Sequence, residues 1–119
     1  MPEHRNTLIA AFQKIVADTK SDIIKKAEEV VKKNDYLNCR LFTQLVTDTP
    51  KIESQPQLKD PETGAILWWG TGDGYRHCAV ALDDDTAIQV PEWGGESEVV
   101  PITEIEQEYG PVDRIYKGK

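Results

Sequence analysis

Three side chains in this chain of 119 residues can between them carry out acyl transfer: Cys39, His77 and Gln89, met in that order. A thiolate attacks a carbonyl, an imidazole takes the thiol proton, and an amide can hold the imidazole in one orientation. The apolar residues Leu41, Phe42, Leu45 and Val46 recur at helical spacing, starting just after Asn38 and ending before Pro50, so Cys39 is expected in the first turn of a helix. A thiol there meets the positive end of the helix dipole and backbone N–H groups that have no partner within the helix. Both favour the thiolate, and the same N–H groups can receive the oxyanion of an acyl-transfer intermediate.

His77 and Gln89 lie in apolar runs of strand type. Along Arg76 to Leu82, alternation places His77, Ala79 and Ala81 on one face and Cys78, Val80 and Leu82 on the other. Cys78 therefore has the company of a core residue. In Thr86 to Val90, Ala87 and Gln89 share a face. If Asp83-Asp84-Asp85 is a three-residue hairpin loop, Leu82 pairs with Thr86 and Ala79 lies opposite Gln89, with His77 one diagonal step away on the same face. A two-residue loop would separate them. Asp tolerates the left-handed conformation that such a loop usually needs.

The elements that must position these residues fall into a helical half and a strand half. Leu8, Ile9, Phe12, Ile15 and Val16 predict a first helix to about Asp18. Ile23, Ile24, Ala27, Val30 and Val31 predict a second over roughly 20–33, with Thr19 and Asp22 resembling a capping box and Asn34-Asp35 as its stop. Between Thr47 and Gly64, three prolines among polar residues predict a surface connection rather than core. Strands are then expected at Ala65–Trp69, Arg76–Leu82, Thr86–Val90, Val99-Val100 and Val112–Tyr116. Thr71-Gly72-Asp73-Gly74 and Pro91-Glu92-Trp93-Gly94-Gly95 serve as breaks; Trp68, Trp69 and Trp93 are expected as core and rim residues rather than a ligand platform, with the border of a cleft as the alternative for Trp93 beside Gly94-Gly95. Thr103 with Glu106 is expected to cap a short helix closed by Gly110-Pro111. Helices followed by short strands with tight turns predict an α+β fold: N-terminal helices, then an antiparallel sheet of about five short strands.

In these features the sequence resembles the NlpC-type branch of the papain-like cysteine peptidases and amidases. The likeness covers about Tyr36 to Tyr116. It lies in Asn38-Cys39-Arg40-Leu41-Phe42 opening a helix, the strand Gly64-Ala65-Ile66-Leu67-Trp68-Trp69, the histidine strand Arg76-His77-Cys78-Ala79-Val80-Ala81-Leu82, and Ala87-Ile88-Gln89-Val90 with its polar third residue. The resemblance implies a papain-like core over 36–119 preceded by helices over 1–35, all within one domain. It also implies cysteine peptidase, thiol hydrolase or amidase chemistry through Cys39, His77 and Gln89. Family members usually carry Asp before the Cys and Ser-Gly after it, where this chain has Asn38, Arg40 and Leu41. That departure argues against carrying over cell-wall peptide as the substrate.

Composition sets limits on partners. A formal net charge of −7 repels phosphate backbones and anionic lipid, which argues against a nucleic-acid partner. No apolar run approaches the roughly 20 residues that cross a bilayer, and the first residues do not resemble a signal peptide. A cytoplasmic location is expected, with export by a dedicated secretion system or phage association left open. Asp83-Asp84-Asp85 lacks the spacing and glycine of a calcium loop, and the Cys and His positions do not fit a zinc site, so no metal or cofactor is expected. The leading expectation is a cysteine-dependent hydrolase or acyl transferase acting on an amide or ester bond of a peptide or small substrate. Its alternative is a non-catalytic domain of the same fold that binds a protein or peptide. A disulfide between Cys39 and Cys78 is the least favoured reading.

Overall fold

The computed structural model describes residues 2–34, 37–71, 74–90 and 96–118, and of residues 2–17, 71, 74 and 75 only the backbone. Three α-helices and five strands are found among them: α1 (Pro2–Lys33), α2 (Cys39–Thr47), β1 (Ile66–Thr71), β2 (Gly74–Ala81), β3 (Thr86–Gln89), β4 (Glu98–Pro101), α3 (Ile102–Tyr109) and β5 (Arg114–Tyr116). The strands form one antiparallel sheet in the order β4-β3-β2-β1-β5. The fold is thus α+β, as the segregation of patterns predicts. Of the expected breaks, Gly72-Asp73 and Pro91–Gly95, including Trp93, lie outside the described residues, as does Asp35.

The two expected N-terminal helices are one. No glycine or proline interrupts the chain between Pro2 and Lys33, and the apolar positions Ile9, Val16, Ile23 and Val30 are spaced by seven residues each, so the two stripes share one phase. Thr19 and Asp22 lie in the interior of α1 instead of starting a new helix. Lys32 and Lys33 occupy its last turn, where cations meet the negative end of the dipole.

Alternation along the strands divides the core in two. Ile66, Trp68, Cys78, Val80 and Ile88 face Ala27 and Val30 of α1 and Phe42 and Val46 of α2. On the opposite face Leu67, Trp69, Ala79, Ala81 and Ala87 pack with Ile102 and Ile105 of α3. The adjacent tryptophans therefore go to opposite sides of the sheet.

Two further expectations are corrected. The segment after α2 is not simply a surface connection: Thr49 and Ile52 are fully buried, and Ile52–Ser54 makes a 3-10 turn. Leu58 N–H donates to Ile115 O at 2.7 Å and Lys117 N–H to Pro56 O at 2.8 Å, so this segment covers the outer edge of β5. The helix α3 starts at Ile102 with Pro101 before it and no side-chain cap. Glu106 instead turns the other way and accepts from Val112 N–H at 3.3 Å. The Gly110 stop stands, with φ +90°.

Candidate active site

The start of α2 is set by Asn38, whose Oδ1 accepts from Leu41 N–H at 2.7 Å while its carbonyl accepts from Phe42 N–H at 3.0 Å. Cys39 is the first helical residue, as the spacing predicts. Because Asn38 engages the amides of Leu41 and Phe42, neither is available for the oxyanion role expected of this turn. The helix buries Cys39, Phe42, Thr43 and Val46, a run of i, i+3, i+4, i+7 positions that seats it on the sheet.

The hairpin that carries His77 and Gln89 has the expected register, with Ala81 opposite Ala87 and Val80 opposite Ile88. Its turn is built differently from the expectation. No residue of Asp83-Asp84-Asp85 is left-handed. Asp83 Oδ1 accepts from Asp85 N–H, Thr86 N–H and Thr86 Oγ1 at 2.7–2.8 Å, so one carboxylate replaces the strained conformation. Pairing of β2 with β3 ends at Val80 and Ile88. Beyond that point the start of α2 packs against β2. Cys78 Sγ lies 3.4 Å from Cys39 O and 3.4 Å from Thr43 Oγ1. The Cys39 side chain, which packs in the same apolar cluster as Cys78, is hydrogen-bonded to His77.

His77 is 2% exposed and Cys39 4%. His77 Nε2–H donates to Gln89 Oε1 at 2.7 Å. The amide cannot be the other way round, because Gln89 Nε2 donates to the carboxylate of Glu98 at 3.0 Å, and a carboxylate only accepts. With Nε2 protonated and committed to Gln89, Nδ1 is the atom left to take the thiol proton. Burial, the largest influence on the imidazole, pushes its pKa down. The hydrogen bonds of Cys39 and Gln89 and the charges of Cys39 and Glu108 outweigh it, and the net direction is up from 6.5.

All three residues singled out from sequence thus converge. Cys78 is fully buried as a core residue. The helix start and the strand's core face do meet, as a Cys39–Cys78 disulfide would require, yet the two thiols remain unjoined.

Sequence reasoning missed the aromatic surround. The Tyr109 ring stacks on His77 with centroids 4.4 Å apart and planes 7° from parallel. Trp69 lies 5.7 Å from His77 and 6.4 Å from Tyr109, and its Nε1–H donates to Gly110 O at 2.8 Å. Tyr109 carried no local signal, since it is 32 residues from His77 and reaches it only through the β4–α3 connection. Trp69 depends on a bulge. The turn-proximal pairs Thr71↔Gly74 and Gly70↔Tyr75 would, if continued evenly, set Trp68 against His77; a register shift between Trp69 and Gly70 sets Trp69 there instead. A cavity of about 160 Å³ adjoins Gln89, walled in part by Glu98, Glu104 and Glu108.

Among the described residues there is no cluster of His, Cys, Asp or Glu able to hold a metal ion, and no helix long and apolar enough to cross a membrane. No protein-family model matches the chain, and no curated protein matches it.

Proposed function

We propose that the protein is a cysteine-dependent hydrolase or acyl transferase of the peptidase/amidase type, acting on an amide or ester bond, on a papain-like core of the NlpC type. The observation that carries this reading is the chain of contacts from the Cys39 thiol to the His77 imidazole to the Gln89 amide, with Nε2 and Oε1 2.7 Å apart. His77 Nδ1 takes the thiol proton, and Cys39 Sγ attacks the carbonyl carbon while its oxygen takes up the electron pair near the positive end of α2. The intermediate collapses to a thioester as the imidazolium gives its proton to the leaving amine or alcohol. Water or a second nucleophile, deprotonated by the same imidazole, then releases the acyl group and restores the thiol. Gln89 holds the ring throughout, and Glu98 holds Gln89. The substrate is an amide or ester of a peptide or small molecule, the workplace the cytoplasm, where thiols stay reduced. With a net charge of −7, nucleic acid is not the partner.

The test is hydrolysis of a p-nitrophenyl ester with intact-mass detection of the acyl-enzyme. Wild type is expected to accumulate or turn over an acyl group on Cys39, and Cys39→Ala to fold normally with no turnover. Turnover retained in Cys39→Ala would end this reading.

The 4% exposure of Cys39 favours a second reading, a non-catalytic domain of this fold that binds a protein or peptide. Alkylation by iodoacetamide separates the two: an activated thiol reacts well below pH 8.5, an ordinary one only as pH approaches it.

A further inference from the structure

The imidazole of His77 makes its two polar contacts in the plane of the ring, to Cys39 and to Gln89, and both are lost if the ring turns about its Cβ–Cγ bond. Neither contact resists tilting of the plane. On one face lies a ring from another element, Tyr109 at the last residue of α3, 4.4 Å away and within 7° of parallel. Trp69 backs both rings and is itself tied to the residue after Tyr109 by its bond to Gly110 O.

We propose that Tyr109 is a positioning residue for His77: its ring fixes the imidazole plane so that Nδ1 stays directed at the Cys39 thiol. The proposal rests on the thiol–imidazole reading above. Tyr109 acts on the thiol through the imidazole ring on which it stacks. A parallel aromatic face also shields one side of the imidazole from water and favours its cationic form through the electron-rich ring. The negative end of α3 and the carboxylate of Glu108, the preceding residue, work in the same direction.

The discriminating experiment is the pH profile of Cys39 alkylation by iodoacetamide in wild type, Tyr109→Phe and Tyr109→Leu, mapped by mass spectrometry, with thermal melts as a check on folding. Tyr109→Leu is expected to react about two- to tenfold more slowly at pH 6, the range an aromatic pair supplies, with its profile moved toward higher pH. Tyr109→Phe keeps the ring and is expected to stay within about twofold of wild type. A folded Tyr109→Leu with the wild-type profile would overturn the role of Tyr109 while leaving the thiol–imidazole site standing. An ordinary profile in wild type itself would overturn the site. Should Tyr109→Leu fail to fold, the wild-type protein decides: the stack requires an upfield ring-current displacement of the His77 Cε1 proton in the NMR spectrum, and its absence overturns the proposal.

Discussion

At the scale of single residues, the protonation of His77 is the most informative property. Burial pulls its pKa down, yet the hydrogen bonds and charges that meet it, Cys39 foremost, take the value above 6.5. The folded chain therefore keeps this proton to higher pH than the unfolded one. The stabilisation it brings is fully present below 6.5 and is lost as pH rises through the folded value. Replacing Cys39 by Ser removes the charge contribution of the sulfur while leaving a hydrogen-bonding hydroxyl and the burial. In an NMR titration of the imidazole protons, wild-type His77 is expected to titrate above 6.5 and the Cys39→Ser protein below wild type. Identical midpoints would mean that charge on the sulfur does not act on the ring.

At the scale of elements, the site depends on one irregularity in β1. Gly70 has φ +140°, a conformation that side chains rarely adopt, and its N–H donates to Asp113 Oδ2 at 2.7 Å. The bulge there sets Trp69 rather than Trp68 against His77. An alanine at position 70 must either hold a strained backbone or abandon the bulge. Gly70→Ala is expected to lose about 1–3 kcal/mol in urea unfolding. If the register slips to remove the strain, Trp68 and Trp69 exchange faces and the alkylation of Cys39 slows as well. Unchanged stability would show that the bulge tolerates a side chain.

At the scale of the whole molecule, α1 sets the long dimension. Its 32 residues extend about 48 Å at 1.5 Å each, against a greatest extent of 52 Å. A polar tie from it to the hairpin is the ion pair between Lys20 Nζ and Asp83 Oδ2 at 2.7 Å, bridging 63 residues of sequence. Lys20, then the backbone and hydroxyl donors of Asp85 and Thr86, hold the Asp83 carboxyl well below the usual carboxylate range. A depressed value contributes stability above 3.8 that is lost as pH falls through the folded value. Asp83→Asn keeps the acceptor of the turn and removes the charge. Because both side chains are about a third exposed, its cost at pH 7 is expected to be at most about 1 kcal/mol. Urea melts at several pH values should show that difference narrowing below 3.8, and a difference that stays constant with pH would assign it to the turn instead.

What was legible without tertiary structure follows from local periodicity. The apolar repeat after Asn38 placed Cys39 at a helix start, and strand alternation with a three-residue loop placed His77 and Gln89 on one face. Both rest on a repeat of a few residues that the backbone geometry imposes. The absence of any glycine or proline from 3 to 33 is equally legible as one continuous helix, whereas the capping-like pair at Thr19 and Asp22 predicts a boundary that the helix does not have. Only the tertiary structure decided the rest. The bulge at Gly70 depends on a carboxylate 43 residues away, and a shift of one residue reverses which tryptophan faces the site. The buried positions Thr49 and Ile52 depend on the edge of β5, and the stack of Tyr109 on His77 depends on the return of α3 over the sheet. Each is a contact between segments far apart in the chain, settled by packing after the local elements have formed.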